Sequence, residues 1–202
     1  MNRKVILAIN VALSIVAVFL VFKIYRLIME PIEFDKMRDK RFEVVKESLI
    51  NIREAQLAYR EEFGQFCGDI DVLVAFVDTG SVTIIERKDT SFMAYNNVYQ
   101  KDMMKDSVIV RVLGSETVKK NRFGHDFDIN SITYIPFSEN EKFELGAGII
   151  ERNTVKVPVF QATAPDKSVL TGVEERFIPY IDGNHALIVG SLTEPTISGN
   201  WQ

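Results

Sequence analysis

Two hydrophobic patterns follow one another in the first third of the chain. From Val5 to Phe22, eighteen residues are apolar except for Asn10 and Ser14. Further on, the apolar positions thin to a single stripe, Phe42, Val45, Leu49, Ile52, Gln56, Tyr59 and Phe63, at spacings that alternate between three and four. An all-round apolar run predicts a helix in an apolar surrounding, whereas a three-four stripe predicts a helix with one covered side. Gln56 is the one polar member of that stripe.

The first pattern has the length of a membrane span, since a hydrocarbon core of about 30 Å takes about 20 helical residues. Ile24, Tyr25, Leu27, Ile28 and Met29 prolong it, while Lys23 and Arg26 can snorkel to the headgroups. A secretory signal core is shorter, about 7–15 residues, and ends at small side chains. This run instead exits into Phe22-Lys23-Ile24-Tyr25-Arg26, so an uncleaved anchor with residues 5–29 in lipid is expected. Arg3 and Lys4, with no acid beside them, favour a cytoplasmic amino terminus and an extracytoplasmic, periplasmic-type domain. Lys23, Arg26, Lys36, Arg38, Lys40 and Arg41 beyond the span pull the other way. Pro31 predicts a kink or a fresh helix start. The chain thus divides into a tail and anchor (1–29), a helical stalk (30–66) closed by Gly64, and a globular domain (67–202).

In the third part the period changes. Asp69 or Asp71 can cap a short helix through Val72, Leu73, Phe76 and Val77, ending at Gly80. Val- and Ile-rich stretches then predict strands at Ser81 to Glu86 and Ser107 to Leu113, with a charged loop from Arg87 to Asp106 between them. Another strand is expected at Ile132 to Phe137. Phe143 to Glu151 and Thr154 to Ala162 read as a hairpin about Arg152-Asn153, with Pro158 placing the second strand at an edge or making it irregular. His185 to Leu192 is apolar enough to be a central strand. The fold class expected is α+β: an N-terminal transmembrane helix and amphipathic helical stalk followed by a mainly antiparallel β domain. Tyr134-Ile135-Pro136-Phe137 is echoed 43 residues later by Phe177-Ile178-Pro179-Tyr180, as a duplication or chance would produce.

Charge separates the parts again. Residues 1–29 hold four basic groups and no acid, so 20 of the 24 basic residues and all 28 acidic ones lie beyond, leaving that part at −8. An acidic domain of this kind excludes nucleic acid as a partner, which needs a basic patch. Cys67 is the single cysteine, which excludes an internal disulfide framework and a multi-cysteine zinc site, and it reads as a small buried hydrophobe beside Phe66. His125 and His185 are the only histidines, and neither a Gly-rich phosphate loop nor a paired-histidine zinc motif is present. An enzyme is therefore not expected, nor is a cofactor. Asp126, Asp128 and Asn130 alternate as calcium ligands can, yet Ser131 stands where an EF-hand loop needs Gly and Phe137 where it needs Glu. The competing reading is a solvated turn.

The stripe has two uses open to it: packing on the chain's own sheet, or contact with a partner through Phe42, Val45, Leu49, Ile52, Tyr59 and Phe63. Trp201, the only tryptophan, sits in an apparently untied tail of residues 194–202 and is a second candidate anchor.

An anchor running into an amphipathic helix, then Ala55-Gln56-Leu57-Ala58-Tyr59, Phe63-Gly64-Gln65-Phe66, a short helix and strands, resembles the plan of type IV pilins and type II secretion pseudopilins. The prepilin cleavage signature of that family is missing, since Val5 to Phe22 holds neither acid nor glycine. The resemblance implies a membrane-anchored extracytoplasmic subunit that assembles with other envelope proteins or with itself. The expected function is accordingly a single-pass scaffold or assembly subunit acting by protein contact. The alternative is a tethered ligand-binding or sensing module with a pocket lined by Tyr134, Phe137, Phe177 and Tyr180.

Overall fold

The structure is a computed structural model and describes residues 3–96 and 100–201. A single helix, α1, runs from Arg3 to Phe63. It passes through Pro31 without a break, so of the two expectations for that residue the fresh helix start is corrected. The proline costs the helix one hydrogen bond, because the carbonyl of Leu27 loses its donor four residues on. This is the one helix among the described residues that is long and apolar enough to cross a membrane. Side chains such as Leu13, Val18, Phe22 and Leu27 are all exposed there. Inside that stretch Ser14 Oγ donates to the carbonyl of Asn10 at 2.9 Å, so its hydroxyl needs no water.

Beyond Pro31, the same helix acquires a buried face. Phe34, Phe42, Val45, Leu49, Ile52, Ala55 and Ala58 are buried, and they form one core with the strands and short helices of the domain. Burial on one side explains the three-four spacing.

Ile70–Thr79 forms α2, capped by Asp69, whose carboxylate accepts from the N–H groups of Asp71 and Val72. Its Leu73 and Val77 face the core while Phe76 packs edge-on against Tyr59 at 5.1 Å. Two long strands follow, β1 (Ser81–Asn96) and β2 (Lys101–Thr117), which pair with each other alone. The expected loop from Arg87 to Asp106 is thus ladder over almost all its length, its residues 97–99 lying outside the described ones. A bulge falls between Ile84 and Ile85.

Residues 119–123 make one π-helical turn, and α3 (Asn130–Thr133) occupies the start of the stretch expected to be a strand. Only a single bridge, Tyr134 to Lys142, is β there. The second sheet has the antiparallel order β3-β4-β5, with β3 at Glu144–Arg152, β4 at Val155–Pro165 and β5 at Ala186–Gly190. The β3-β4 turn is Asn153-Thr154, one residue later than expected, with φ of 50° and 67°. A two-residue turn of the primed type demands left-handed φ at both positions, which Asn accepts readily and Thr only under strain. Pro158 lies on β4 where β3 is the sole neighbour, because β5 pairs only from Gln161 to Pro165.

Two expectations for the carboxy-terminal part are corrected. β5 is an outer strand, not a central one, and of the expected untied tail, residues 194–202, the described part to Trp201 is tied down. Asn200 binds β5 like a strand would: its N–H donates to the Ile188 carbonyl at 3.0 Å, its Oδ1 accepts from the Ile188 N–H at 3.1 Å, and its Nδ2 donates to the Ala186 carbonyl at 2.8 Å. The two aromatic-Ile-Pro-aromatic segments differ in backbone, the first being a bridge and turn after α3 and the second a 3-10 helix at Glu175–Tyr180. No shared structural unit underlies them.

Candidate functional site

Along α1, polar contacts fasten the helix to the domain at several heights. Glu33 pairs with Arg176 at 2.9 Å, Arg41 donates to the carbonyls of Val169 and Thr171 at 2.9 Å each, and Glu61 pairs with Arg122. Between them sits Gln56. It is fully buried, its Nε2 donating to the Cys67 carbonyl at 2.7 Å and its Oε1 accepting the Cys67 N–H at 2.9 Å. The polar member of the stripe therefore serves both backbone groups of a buried loop residue. Cys67 itself is buried, its Sγ 3.1 Å from the Asp69 carbonyl, and burial pushes its thiol up, as it does the Tyr59 hydroxyl.

The stripe offered as a partner surface is consequently occupied. Phe42, Val45, Leu49 and Ile52 are covered by the chain's own sheet and cannot also meet a partner. Tyr59 is half-buried, its ring tilted at 40° against Phe63 at 4.4 Å, and only Phe63, 54% exposed, faces outward. Trp201 is half-buried against the core, close enough to Gly199 that a Cβ there would meet its ring at 2.5 Å. It forms the wall of a cleft instead of a free anchor.

The calcium candidates do not make a ligand set. Asp128 Oδ1 accepts from the Asn130 N–H and from Asn130 Nδ2, both at 3.0 Å, so the two residues satisfy each other at the start of α3. An amide turned donor-first toward its neighbour is not presenting an oxygen to a cation. Among the described residues no three acidic, histidine or cysteine side chains converge on a point that could hold a metal.

Two features remain. The first is the cleft, about 450 Å³, between the first buried turns of α1 beyond Pro31 and the β5 region. Phe34, Phe42, Tyr180 and Trp201 give it aromatic walls, and Asp166, His185 and Lys46 give it polar ones. Asp166 opens α4 (Asp166–Val169) and is 4% exposed. Its Oδ2 lies 2.9 Å from His185 Nδ1, whereas its Oδ1 has no partner among the described residues. The His185 ring lies parallel to Phe42, at 6.2 Å and 10°. Of the four aromatics expected to line one pocket only Tyr180 is here. Phe177 is core, Phe137 is exposed beneath the Arg41 guanidinium, and Tyr134 borders a separate depression.

The second feature is the β1-β2 ribbon. At about 3.3 Å per residue it is roughly 50 Å long. Neither strand has a buried residue among those described. Residues opposite one another share a face and successive residues alternate, so the ladder sorts its side chains into two sets. One face carries Ile85, Met93, Tyr95, Met104, Val108, Val110 and Val112 with Arg87, Asp89, Asp102 and Asp106, a net of −2. The opposite face carries Phe92, Met103 and Ile109 with Glu86, Lys88, Lys101, Lys105 and Arg111, a net of +3. The sequence signal for this division was the alternation itself, hidden because both faces mix apolar and charged residues.

No protein-family model matches this chain, and neither a curated protein nor a solved structure matches it.

Proposed function

We propose that the protein is a single-pass membrane-anchored assembly subunit whose ribbon stacks face to face on the ribbon of a second copy. The observation that carries this reading is the opposite charge on the two apolar faces of a ribbon that, beyond its root, no other described residue covers. An isolated two-stranded sheet is marginal in water, and exposed apolar area of this extent is characteristic of interaction surfaces. Each face spans about 50 Å by about 10 Å, so one contact buries roughly 1,000 Å² in total, the lower bound for a specific interface. The acidic face of one copy fits the basic face of the next. Because the two faces differ, the contact is heterologous and propagates along the membrane plane instead of stopping at a pair.

The body lies outside the cytoplasm in this proposal, with the Arg3-Lys4 tail inside, in keeping with the pilin-like plan of anchor, long helix and sheet. Its work is contact.

Crosslinking of the full chain in lipid nanodiscs or detergent tests the stacking. Lys88→Glu with Lys105→Glu leaves two acidic faces, and Asp89→Lys with Asp102→Lys leaves two basic ones. Each double variant is expected to stay monomeric alone, and a mixture of the two is expected to associate. A mixture that remains monomeric, or either variant associating like the wild type, overturns the proposal.

A further inference from the structure

The body begins at one level on α1. Every residue from Asn10 to Ile28 is exposed, Met29 to Pro31 are partly covered, and Phe34 is buried, so the near end of the body lies where the apolar stretch stops. The 3-10 helix Glu175–Tyr180 is fastened at that level. Arg176 pairs with Glu33, and the rings of Phe177 and Tyr180 stand 5.8 Å and 5.6 Å from that of Phe34. Side chains three apart eclipse in a 3-10 helix, which sets Phe177 and Tyr180 against α1 and turns Ile178 aside. Ile178 is 57% exposed, and Pro179 and Tyr180 beside it are exposed as well.

A single exposed isoleucine is ordinary on a protein surface, but the height of this one is not. Glu33 and Phe34 follow Met29 by four and five residues, about 6 to 7.5 Å of helix, while the headgroup layer outside the hydrocarbon is about 5–7 Å deep on each side. With residues 5–29 in lipid, the 3-10 helix therefore stands among the headgroups. That zone accepts an apolar side chain reaching toward the acyl chains and a tyrosine ring at the edge of water. Charge narrows the lipid. Residues 174–182 hold Glu174, Glu175 and Asp182 against Arg176, whose guanidinium is engaged by Glu33 and Glu174, and Lys167 reaches alongside Gly183 as a second cation. The neighbouring stretch of α1, residues 30–36, adds Glu30, Glu33 and Asp35 against Lys36. The balance is acidic, so contact rests on apolar insertion and suits a zwitterionic surface.

We infer that the 3-10 helix Glu175–Tyr180 is the lipid-contact surface of the body. Ile178 enters the boundary between the headgroups and acyl chains of a zwitterionic bilayer, and Pro179 and Tyr180 rest among the headgroups. Contact beside the helix axis gives the body a preferred lean. The inference rests on reading residues 5–29 as a membrane anchor and is independent of the ribbon's stacking.

Spin labels on single introduced cysteines test it, with the full chain in phosphatidylcholine nanodiscs. Cys67 is buried, and the unaltered chain taken through the same labelling gives its background. Val18→Cys reads the anchor and Ile178→Cys the contact. Val72→Cys reads open water, because α2 packs through Phe76 on Tyr59, 30 residues or about 45 Å of helix beyond Met29. All three replaced side chains are exposed, so the fold tolerates the changes. Collisions with oxygen, which concentrates in lipid, are compared with collisions with a water-soluble nickel chelate. The oxygen-to-nickel ratio is expected to be highest at position 18, and at position 178 severalfold above that at position 72. A label at 178 as wet as the one at 72, with the label at 18 in lipid, overturns the inference and leaves the anchor standing. A label at 18 in water overturns both. Equal oxygen preference at 72 and 178 also overturns the inference, since lipid contact would then not be confined to the 3-10 helix.

Discussion

β2 and β4 are similar in apolar content and opposite in fate. In β4, Phe160, Ala162 and Ala164 are buried in the core with α1, while in β2 Val108, Ile109, Val110, Val112 and Leu113 are all exposed. The difference is not in the strands but in what lies over them. β4 has a neighbour on each side for part of its length and a helix across its face; β2 pairs with β1 alone and, among the described residues, meets the body chiefly through α2 and the π-helical turn. Hydrophobic residues stabilise a fold only where a second layer removes them from water, so the body stands by itself and the ribbon's apolar side chains stay in water.

The sharpest way to break this contrast is to charge the body and shorten the ribbon. Ile52→Asp buries an unpaired carboxylate in the core and is expected to cost about 4 kcal/mol, enough to melt the body at room temperature by circular dichroism. Replacing residues 85–112 by a short Gly-Ser turn is expected to leave the body's Tm within about 2 °C. The reverse ranking would mean that the ribbon is a structural member. Next in size is Gln56→Leu, which strips both backbone groups of Cys67 of their partners and is expected to cost about 2–3 kcal/mol in urea unfolding. Asn200→Ala follows, at about 1–2 kcal/mol, since it removes two side-chain bonds to β5; a neutral result would return the tail to the untied state.

Smaller still are changes on the ribbon. Val110→Thr and Met104→Ser are each expected to shift unfolding by less than about 0.5 kcal/mol while weakening crosslinking between copies. The last prediction concerns pH. Cys67 stays protonated in the fold above the pH at which a free thiol ionises, so the folded state binds more protons there than the unfolded one. Its contribution is complete below the ordinary thiol value and is lost as pH rises from there through the raised one, with Tyr59 acting in the same direction at higher pH. Cys67→Ala is expected to flatten the thiol part of that decline.

How far these features could be read from the sequence follows from the same contrast. The stripe from Phe42 to Ile52 was legible because burial on one side imprints a helical period, and Asp69 because capping needs a side chain only two or three residues from its donors. Arg87 to Asp106 was illegible as strand because the pattern records burial, not pairing, and a ladder wet on both faces leaves no period to read. The cleft escaped for another reason. Asp166 and His185 are 19 residues apart and meet only because α4 and β5 close on α1, while Asn200 imitates a peptide group, which no periodicity reports. The lone tryptophan did mark one wall of the cleft.

The unbroken course of α1 through Pro31 makes the anchor and the body one lever. Phe63 stands 34 residues beyond Met29, about 50 Å along the axis, and the ribbon's root is tied near that end through α2. A tilt of about 20°, ordinary for a single span, swings that end sideways by about 17 Å. In the proposed membrane-anchored assembly, small motions inside the bilayer are thereby magnified into a wide sweep at the far end, where one copy meets the next.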